Sequence, residues 1–283
     1  MVSGAGVVNK EENAAICVWD LSNFTLKKRL NFHYKGIQQI KFNFDGKYMV
    51  SIGNKEEKSI CIWNFTNFSV CDSKSLKFNV IDCVCEKQFD KFFYFVTISL
   101  EVLSFWRMDT SLKLEGFHVK FEDLTKERDP NEYFTCVELT PYFDKIKTSF
   151  VMIGTSSGAI LIIDKEKKIL IRKFFLFQNP ILKIFFTEER LILTGESPII
   201  LSWLIPFKKF NNDYVFEFLE KEKSSILFLD NNVNSAFFTN SGTEVKLELI
   251  LGTCCNHKQQ YFVREFNRKP QSEDYSISSE QRN

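Results

Sequence analysis

Short apolar runs alternate with polar turns along most of the chain, and tryptophan ends the same kind of run four times. These runs are ICVW, ICIW, LSFW and ILSW, which end at Trp19, Trp63, Trp106 and Trp203. The first two intervals between tryptophans are 44 and 43 residues, and the apolar run that ends at Ile163 divides the last interval. Repeats of about 40 to 45 residues with several strands each are typical of β-propeller blades. The pattern therefore predicts an all-β chain of repeated units.

The second unit shows its strands most clearly. Apolar positions from 37 to 42 are followed by a turn at Asp45-Gly46-Lys47, and further apolar runs cover 48–53 and 60–65. An Asp-Gly turn between two apolar runs is a strong hairpin signal. The same reasoning predicts strands within 80–106, 134–164 and 181–203, one further pair over 225–242 and a last strand near 245–253.

The predicted domain is a partial propeller of about five to six blade units over residues 1–266, with weaker repeats after residue 220. The first five residues, MVSGA, resemble the second strand of the next unit, MVSIG, so the chain is expected to begin inside a blade. Residues 267–283 are almost entirely polar, which predicts a disordered tail. Because an open ring leaves strand edges unpaired, a further propeller segment or a partner chain is expected to complete it.

Several positions of these units carry a family resemblance. His33 with Gly36, the Asp45-Gly46-Lys47 turn and the Trp63-Asn64 pair resemble the WD-repeat signature, and the resemblance extends loosely over residues 1–220. In that family a buried His, Ser or Thr, Asp and Trp form a hydrogen-bonded structural network in each blade. Glu-Glu-Lys at 56–58 stands where the family prefers Asp, so the network of the second unit is expected to be incomplete. The structural repeat positions that the resemblance implies are Trp19, His33, Ser51, Trp63, Trp106 and Trp203.

A narrower resemblance covers a later part of the chain. The run FWRMDTSLKLEGFHVKFEDL over 105–124, followed by FTCVELTPYFDK and GTSSGAILIID, is similar to the microtubule-associated WD-repeat proteins of the echinoderm-protein-like group and to the cilia- and flagella-associated WD-repeat proteins. This resemblance implies a noncatalytic scaffold attached to microtubules or to the ciliary axoneme, with tubulin or axonemal proteins as partners. The alternative is a regulatory WD-repeat adaptor that binds a peptide motif in a signalling or ubiquitin-type complex.

The longest interruption of the repeat is an insertion. The interval from Trp106 to Ile163 is 57 residues, 14 more than the interval before it, and the surplus falls at 120–132. Many charges, a proline and no strand periodicity predict a surface loop there. Two interpretations stay open, namely an insertion tolerated without a role and a contact for a partner. The candidate contact residues are Glu122, Asp123, Lys126, Glu127, Arg128 and Asp129.

Composition and charge narrow the classes of partner. The formal net charge is +1, and no long apolar segment or basic leader is visible, so neither nucleic acid nor a membrane is expected as a partner. The eight cysteines fall mainly on predicted strands, which predicts core packing without disulfides in a reducing compartment. The expected location is the cytoplasm, at the cytoskeleton or in the axoneme of a cilium or flagellum.

The chain has few residues that could carry out chemistry. Cys254, Cys255 and His257 have no second pair of ligands nearby in sequence, so no zinc site is expected. The Gly-rich turn at 154–158 lacks a following Gly-Lys-Ser/Thr, so no phosphate loop is expected there. Of the other two histidines, His33 is assigned to the structural network and His118 to a connecting segment, and neither is predicted beside a nucleophile. The prediction is a protein without catalytic residues, metal or cofactor.

Overall fold

The computed structural model of the chain describes residues 2–4, 14–86, 92–126, 129–140, 149–186, 190–195, 199–204, 225–228, 235–241, 246–255 and 258–266. Within these ranges all regular elements are β-strands except one helix of four residues. No helix in the described ranges is long and apolar enough to cross a membrane. The chain divides into two compact units, Met1–Leu139 and Thr140–Asn283.

The first unit contains three antiparallel sheets. Strands β1 (Val2–Gly4), β2 (Ala15–Asp20) and β3 (Thr25–Asn31) form the first sheet in that order. The second sheet consists of β4 (Ile37–Phe42), β5 (Tyr48–Gly53), β6 (Ser59–Asn64) and β7 (Ser69–Ser75). The third consists of β8 (Asp82–Cys85), β9 (Phe93–Ile98), β10 (Val102–Met108) and β11 (Leu114–Lys120), and it is followed by helix α1 (Phe121–Leu124) and strand β12 (Phe134–Leu139).

The second unit also consists of antiparallel strands. Strands β13 (Phe150–Thr155), β14 (Ala159–Asp164) and β15 (Ile169–Phe175) are hydrogen-bonded neighbours in that order. The next sheet contains β16 (Ile181–Phe186), β17 (Arg190–Gly195), β18 (Ile199–Leu204) and β19 (Ser225–Phe228). Strands β20 (Ser235–Ser241), β21 (Lys246–Cys255) and β22 (Lys258–Phe266) form the last sheet.

The strand register shows that the units are repeats of one design. Trp63 lies opposite Met49, Trp106 opposite Phe95 and Trp203 opposite Leu191, so each tryptophan occupies the same place on the third strand of its sheet. The all-β prediction is therefore confirmed. The pairing of β1 with β2 corresponds to that of a second strand with a third, as the resemblance between MVSGA and MVSIG predicts.

The predicted strand pair over 225–242 is wrong in one respect. Its two strands form, but they belong to different sheets: β19 pairs with β18 as the outer strand of the sheet before it, and β20 pairs with β21. The nearness of these two strands in sequence suggests a hairpin, whereas the outer strand of each sheet comes from residues that follow the apolar run ending in tryptophan. Residues 267–283, predicted to be a disordered tail, lie outside the described residues. That the ring is open and is completed by a further segment or a partner chain stays a prediction.

The core lies between stacked sheets, so each inner sheet buries both of its faces. Met49, Cys61 and Trp63 of the second sheet pack against the first sheet at Ile16, Val18 and Leu30. Val50, Ile52 and Ile62 point the other way and join a cluster with the third sheet. Strands buried on two sides read as continuous apolar runs, which explains why SICIWN and AILIID lack a polar alternation.

One buried carboxylate links three inner strands of the first unit. Asp82 on β8 is 3% exposed and accepts hydrogen bonds from the side-chain amide of Gln39 on β4 at 3.1 Å and from the backbone N–H of Val137 on β12 at 3.2 Å. Because a carboxylate is costly to bury without hydrogen-bond donors, these bonds hold the three strands in a defined position.

Candidate functional site

A group of buried polar side chains lies around His33, just before the first strand of the second sheet. The Nε2 atom of this ring lies 2.8 Å from Ser51 Oγ, and its Nδ1 atom lies 2.6 Å from Glu57 Oε1. Trp63 Nε1 donates to the same Ser51 hydroxyl at 2.8 Å. We call Glu57, His33, Ser51 and Trp63 the His33 network. Strand β5 positions Ser51, strand β6 positions Trp63, and the turn between these strands positions Glu57.

Glu57 completes this network, so the expectation of an incomplete network is wrong. Its Oε1 atom accepts from His33 and Ser59, and its Oε2 atom accepts from the backbone N–H groups of Tyr34 at 2.9 Å and Lys35 at 3.1 Å. Asn54 accepts hydrogen bonds from the Glu56 and Glu57 N–H groups and so shapes the turn. Comparison with the WD-repeat signature leads to the expectation of Asp in this turn. The longer side chain of Glu57 nevertheless reaches His33.

The directions of the hydrogen bonds follow from the chemistry of the groups. An indole N–H can only donate and a carboxylate can only accept, so Ser51 accepts from Trp63 and His33 donates through Nδ1 to Glu57. Burial lowers the pKa of His33 and outweighs the Glu57 carboxylate, which acts in the opposite direction. The ring is therefore neutral near pH 7, and the Ser51 hydroxyl donates to its Nε2 atom.

Glu57 keeps its charge for a different reason. Burial raises the pKa of Glu57, but hydrogen bonds from Ser59, the Lys35 N–H and His33 together outweigh it, so this pKa lies below its ordinary value. An ionised carboxylate thus receives four donors while the histidine beside it stays neutral. The pair is held by hydrogen bonding rather than by attraction between two full charges.

The order carboxylate, histidine, serine is also that of a hydrolytic triad, but this site lacks the access that catalysis needs. The side chains of His33 and Ser51 are 1% and 0% exposed. The Ser51 hydroxyl already binds both Trp63 and His33, so a substrate carbonyl has no path to its oxygen. The arrangement serves to hold β5, β6 and the turn before β4 together.

The His33 network predicts a specific dependence of stability on pH. Because the pKa of folded His33 is below the ordinary 6.5, the unfolded chain takes up a proton first as the pH falls below that value. The free energy of unfolding should therefore decrease from pH 7 to pH 5, by at most about 1.4 kcal/mol per pH unit for this one proton. Urea denaturation of the full chain at several pH values measures this slope.

Substitution of each histidine shows which residue causes this change of the unfolding free energy with pH. His33→Gln should remove this part of the pH dependence, whereas His118→Gln should change it less because His118 is more exposed than His33. At lower pH a second loss follows, since the stability that the ionised Glu57 contributes disappears as the pH falls through its lowered pKa. An unchanged slope in His33→Gln would show that the folded ring is not neutral.

The other tryptophans differ in their surroundings. Trp106 Nε1 donates to Thr97 Oγ1 at 2.9 Å, and Thr97 occupies the place on β9 that Ser51 has on β5. Trp19 is half-buried on β2, and Trp203 lies on β18, where only the backbone is described. Of the predicted structural positions, the structure thus brings His33, Ser51 and Trp63 together and leaves each remaining tryptophan in its own sheet.

His118 does not lie in a connecting segment, as the sequence suggested, but in strand β11. Its Nδ1 atom lies 2.8 Å from Ser104 Oγ, and its ring meets Trp106 edge-on with the centroids 5.2 Å apart. Partial burial lowers the pKa of His118. Strand β11 was missed because its residues are mostly exposed and show no apolar alternation.

The insertion after β11 is more ordered than the predicted loop. Helix α1 occupies 121–124, and the buried ring of Phe121 packs against Phe134 with the centroids 4.5 Å apart. This aromatic contact fixes the start of the insertion to β12. Of the candidate contact residues, Glu122, Asp123, Lys126 and Asp129 are exposed, whereas Glu127 and Arg128 lie outside the described residues.

The cysteines considered as metal ligands and the turn considered as a phosphate loop belong to strands and to a strand connection. Cys254 and Cys255 end strand β21, and His257 lies outside the described residues. The Gly-rich turn joins β13 to β14, and the Thr155 hydroxyl closes it by accepting from the Ala159 N–H at 3.1 Å. Within the described ranges, no group of three or more His, Cys, Asp or Glu side chains is placed to hold a metal ion.

A surface feature that sequence reasoning missed is an open apolar groove of about 380 Å³ in the first unit. Its lining comes from the end of β2, from β3 and β4, and from the turn after β6. We call it the aromatic groove, and its main lining residues are Trp19, Leu21, Lys27, Phe42, Phe65 and Phe68. Phe65 meets Phe42 edge-on at 4.9 Å and Phe68 at 5.1 Å between ring centroids. The high phenylalanine content was the available signal, but it did not show which rings come together.

Comparison with known proteins identifies the architecture. The chain is similar to the crystal structure of the β-propeller domain of Cps50 (Swd1) from Myceliophteria thermophila, with a TM-score of 0.69 and 16% sequence identity, over 93% of this chain and 79% of the other. The prediction of a β-propeller fold is therefore confirmed. No protein-family model matches the chain, and no curated protein matches it. The narrower resemblance to microtubule- and cilium-associated proteins stays a prediction.

Proposed function

We propose that the chain is a noncatalytic β-propeller that binds other proteins. The observation that carries this proposal is a contrast between two places in the first unit. The best-formed group of potentially catalytic side chains, the His33 network, is buried and already satisfied by its own hydrogen bonds. The aromatic groove, by comparison, is open at the surface. A fold of this kind presents fixed surfaces for recognition without chemistry.

We further propose that the partners are tubulin or axonemal proteins and that the chain acts in the cytoplasm, at microtubules or in a cilium or flagellum. The support is the resemblance of residues 105–124 and of the following two phrases to microtubule- and cilium-associated WD-repeat proteins. The exposed side chains of the insertion, among them Asp123 and Lys126, lie within and beside that stretch. They are the proposed contact residues.

Cosedimentation with taxol-stabilised microtubules tests this assignment. The full chain should move into the pellet as the tubulin concentration rises and should saturate, while it stays in the supernatant when tubulin is omitted. Asp123→Lys should change the apparent affinity, and Glu115→Lys, a change of another exposed acidic residue on neighbouring β11, should leave it unaltered. A chain that never enters the pellet would contradict the microtubule assignment, and a tagged chain that locates to axonemes would support the ciliary one.

The alternative function is that of an adaptor that receives a peptide from a signalling or ubiquitin-type complex. The aromatic groove favours it, because an open apolar groove bordered by exposed rings suits the side chains of a short peptide. The two functions are compatible in one scaffold, since the insertion and the groove involve different strands of the first unit.

A further inference from the structure

The turns that border the aromatic groove expose large apolar side chains to solvent. Leu21 and Phe42 line the groove and are 55% and 37% exposed. Phe24 lies in the same turn as Leu21 and is 77% exposed, and Phe44 lies two residues beyond Phe42 and is 67% exposed. Isolated exposed apolar residues are ordinary, but several around one groove mark a binding surface. Neither Phe24 nor Phe44 is needed to fill the core, because most of each ring lies outside it.

Phe24 also occupies a backbone position that does not suit it. Its φ angle is 55°, in the left-handed region, where glycine and asparagine are favoured and a bulky side chain is strained. The same turn position holds Lys168 in a later blade, with a φ of 60°. The turn therefore requires the left-handed conformation but not an aromatic ring. A solvent-exposed phenylalanine at such a position points to a role for its side chain.

Charge around the groove selects the kind of ligand. Residues 14–47, which supply most of the groove, contain six Lys or Arg and two Asp, although the whole chain has a net charge of +1. Lys27 lines the groove, and Lys28 is exposed beside it on β3. The lining also holds the carboxylate of Asp20, which accepts hydrogen bonds from the N–H and hydroxyl of Ser22 and interacts with Lys27, so its negative charge offsets that of Lys27. The excess of positive charge therefore comes from Lys28 and the other basic residues of 14–47, which lie beside a largely apolar lining.

We propose that the aromatic groove binds a short acidic segment of a partner protein, with a large apolar side chain of that segment in the groove and its carboxylates facing Lys27 and Lys28. The proposal rests on the proposed function as a protein-binding platform. Apolar anchors with a complementary charged border are the usual arrangement of such sites, the anchor supplying affinity and the charges supplying selection.

Fluorescence anisotropy with the full chain tests the proposal with three labelled nine-residue peptides. The probe EDFDELFED carries both required features, EDGDEGGED lacks the apolar side chains, and KKFKKLFKK has the opposite charge. The first peptide should bind at least about tenfold more tightly than either of the others, because each of them lacks one half of the complementarity.

Two pairs of variants place the binding in the groove. Phe24→Asn should weaken binding of EDFDELFED at least about tenfold without lowering the thermal midpoint, since asparagine tolerates the left-handed backbone. Leu112→Asn places asparagine at another left-handed turn position, with a φ of 62°, and should leave binding unaltered. Lys28→Glu should also weaken binding, whereas Lys167→Glu, an exposed change in the second unit, should not.

Three results would overturn the proposal. The first is equal binding of all three peptides or of none, and the second is tight binding of EDFDELFED that neither Phe24→Asn nor Lys28→Glu weakens. The third is self-association of the chain that Phe24→Asn abolishes, which would assign the groove to a second copy. If the peptide fails while microtubule cosedimentation persists in Phe24→Asn, the groove assignment falls and the platform function stands.

Discussion

Replacing Trp63 with alanine is expected to lower the free energy of unfolding by about 3–5 kcal/mol, the usual loss for truncating a buried large aromatic side chain. Trp63 is 3% exposed and lies in the core between the first two sheets, with Val18 and Met49 among its neighbours. Its indole N–H also donates to Ser51, so the substitution removes both packing and a member of the His33 network. Urea denaturation of the full chain at pH 7 measures the loss.

Two further variants separate these contributions. Trp63→Phe keeps an aromatic ring and removes the donor to Ser51, so it should cost less than Trp63→Ala. Trp19→Ala removes the corresponding side chain of the first sheet, which is half-buried, and should also cost less. A loss below about 1 kcal/mol for Trp63→Ala would contradict the buried position and with it the register of β5 and β6.

The repeated sheets can be predicted from the sequence because a strand that is buried on both faces requires apolar residues at successive positions. The third strands β6 and β14 are almost uninterrupted apolar runs. Trp63 and Trp106 also occupy equivalent positions in the pairing of their strands. The outer strands leave no such mark, because β3 and β11 are mostly exposed and tolerate many residue types. This is why the sequence places His118 in a connection. The place of β19 is a different case, because its nearness in sequence to β20 suggests a hairpin.

Only part of the site could be predicted from the sequence, because the rest depends on the three-dimensional arrangement of the residues. His33, Ser51 and Trp63 could be found by matching positions, but the role of Glu57 depends on how the turn bonded to Asn54 directs its side chain beneath the histidine. The aromatic groove depends on contacts between neighbouring sheets. Trp19, Phe42 and Phe65 are more than 20 residues apart in sequence, and only the stacking of the first two sheets brings them together.

Glu57→Ala is expected to lower the free energy of unfolding by about 2–4 kcal/mol at pH 7, because it deprives buried donors of their acceptor. The substitution leaves the Nδ1–H of His33 and the hydroxyl of Ser59 without the carboxylate, and both groups are buried. It also removes the acceptor for the Tyr34 and Lys35 N–H groups, which hold the turn before β4.

The neighbouring glutamate provides the matched control for this prediction. The side chain of Glu56 is 59% exposed and pairs only at the surface, with Lys35 Nζ at 3.6 Å, so Glu56→Ala should change stability by no more than about 0.5 kcal/mol. Glu57→Asp should give an intermediate loss, since its carboxylate is one methylene short of His33. A double-mutant cycle with His33→Ala should show coupling, because the two residues share a 2.6 Å hydrogen bond. Equal losses for Glu56→Ala and Glu57→Ala would refute the assignment of Glu57 as the acidic member of the network.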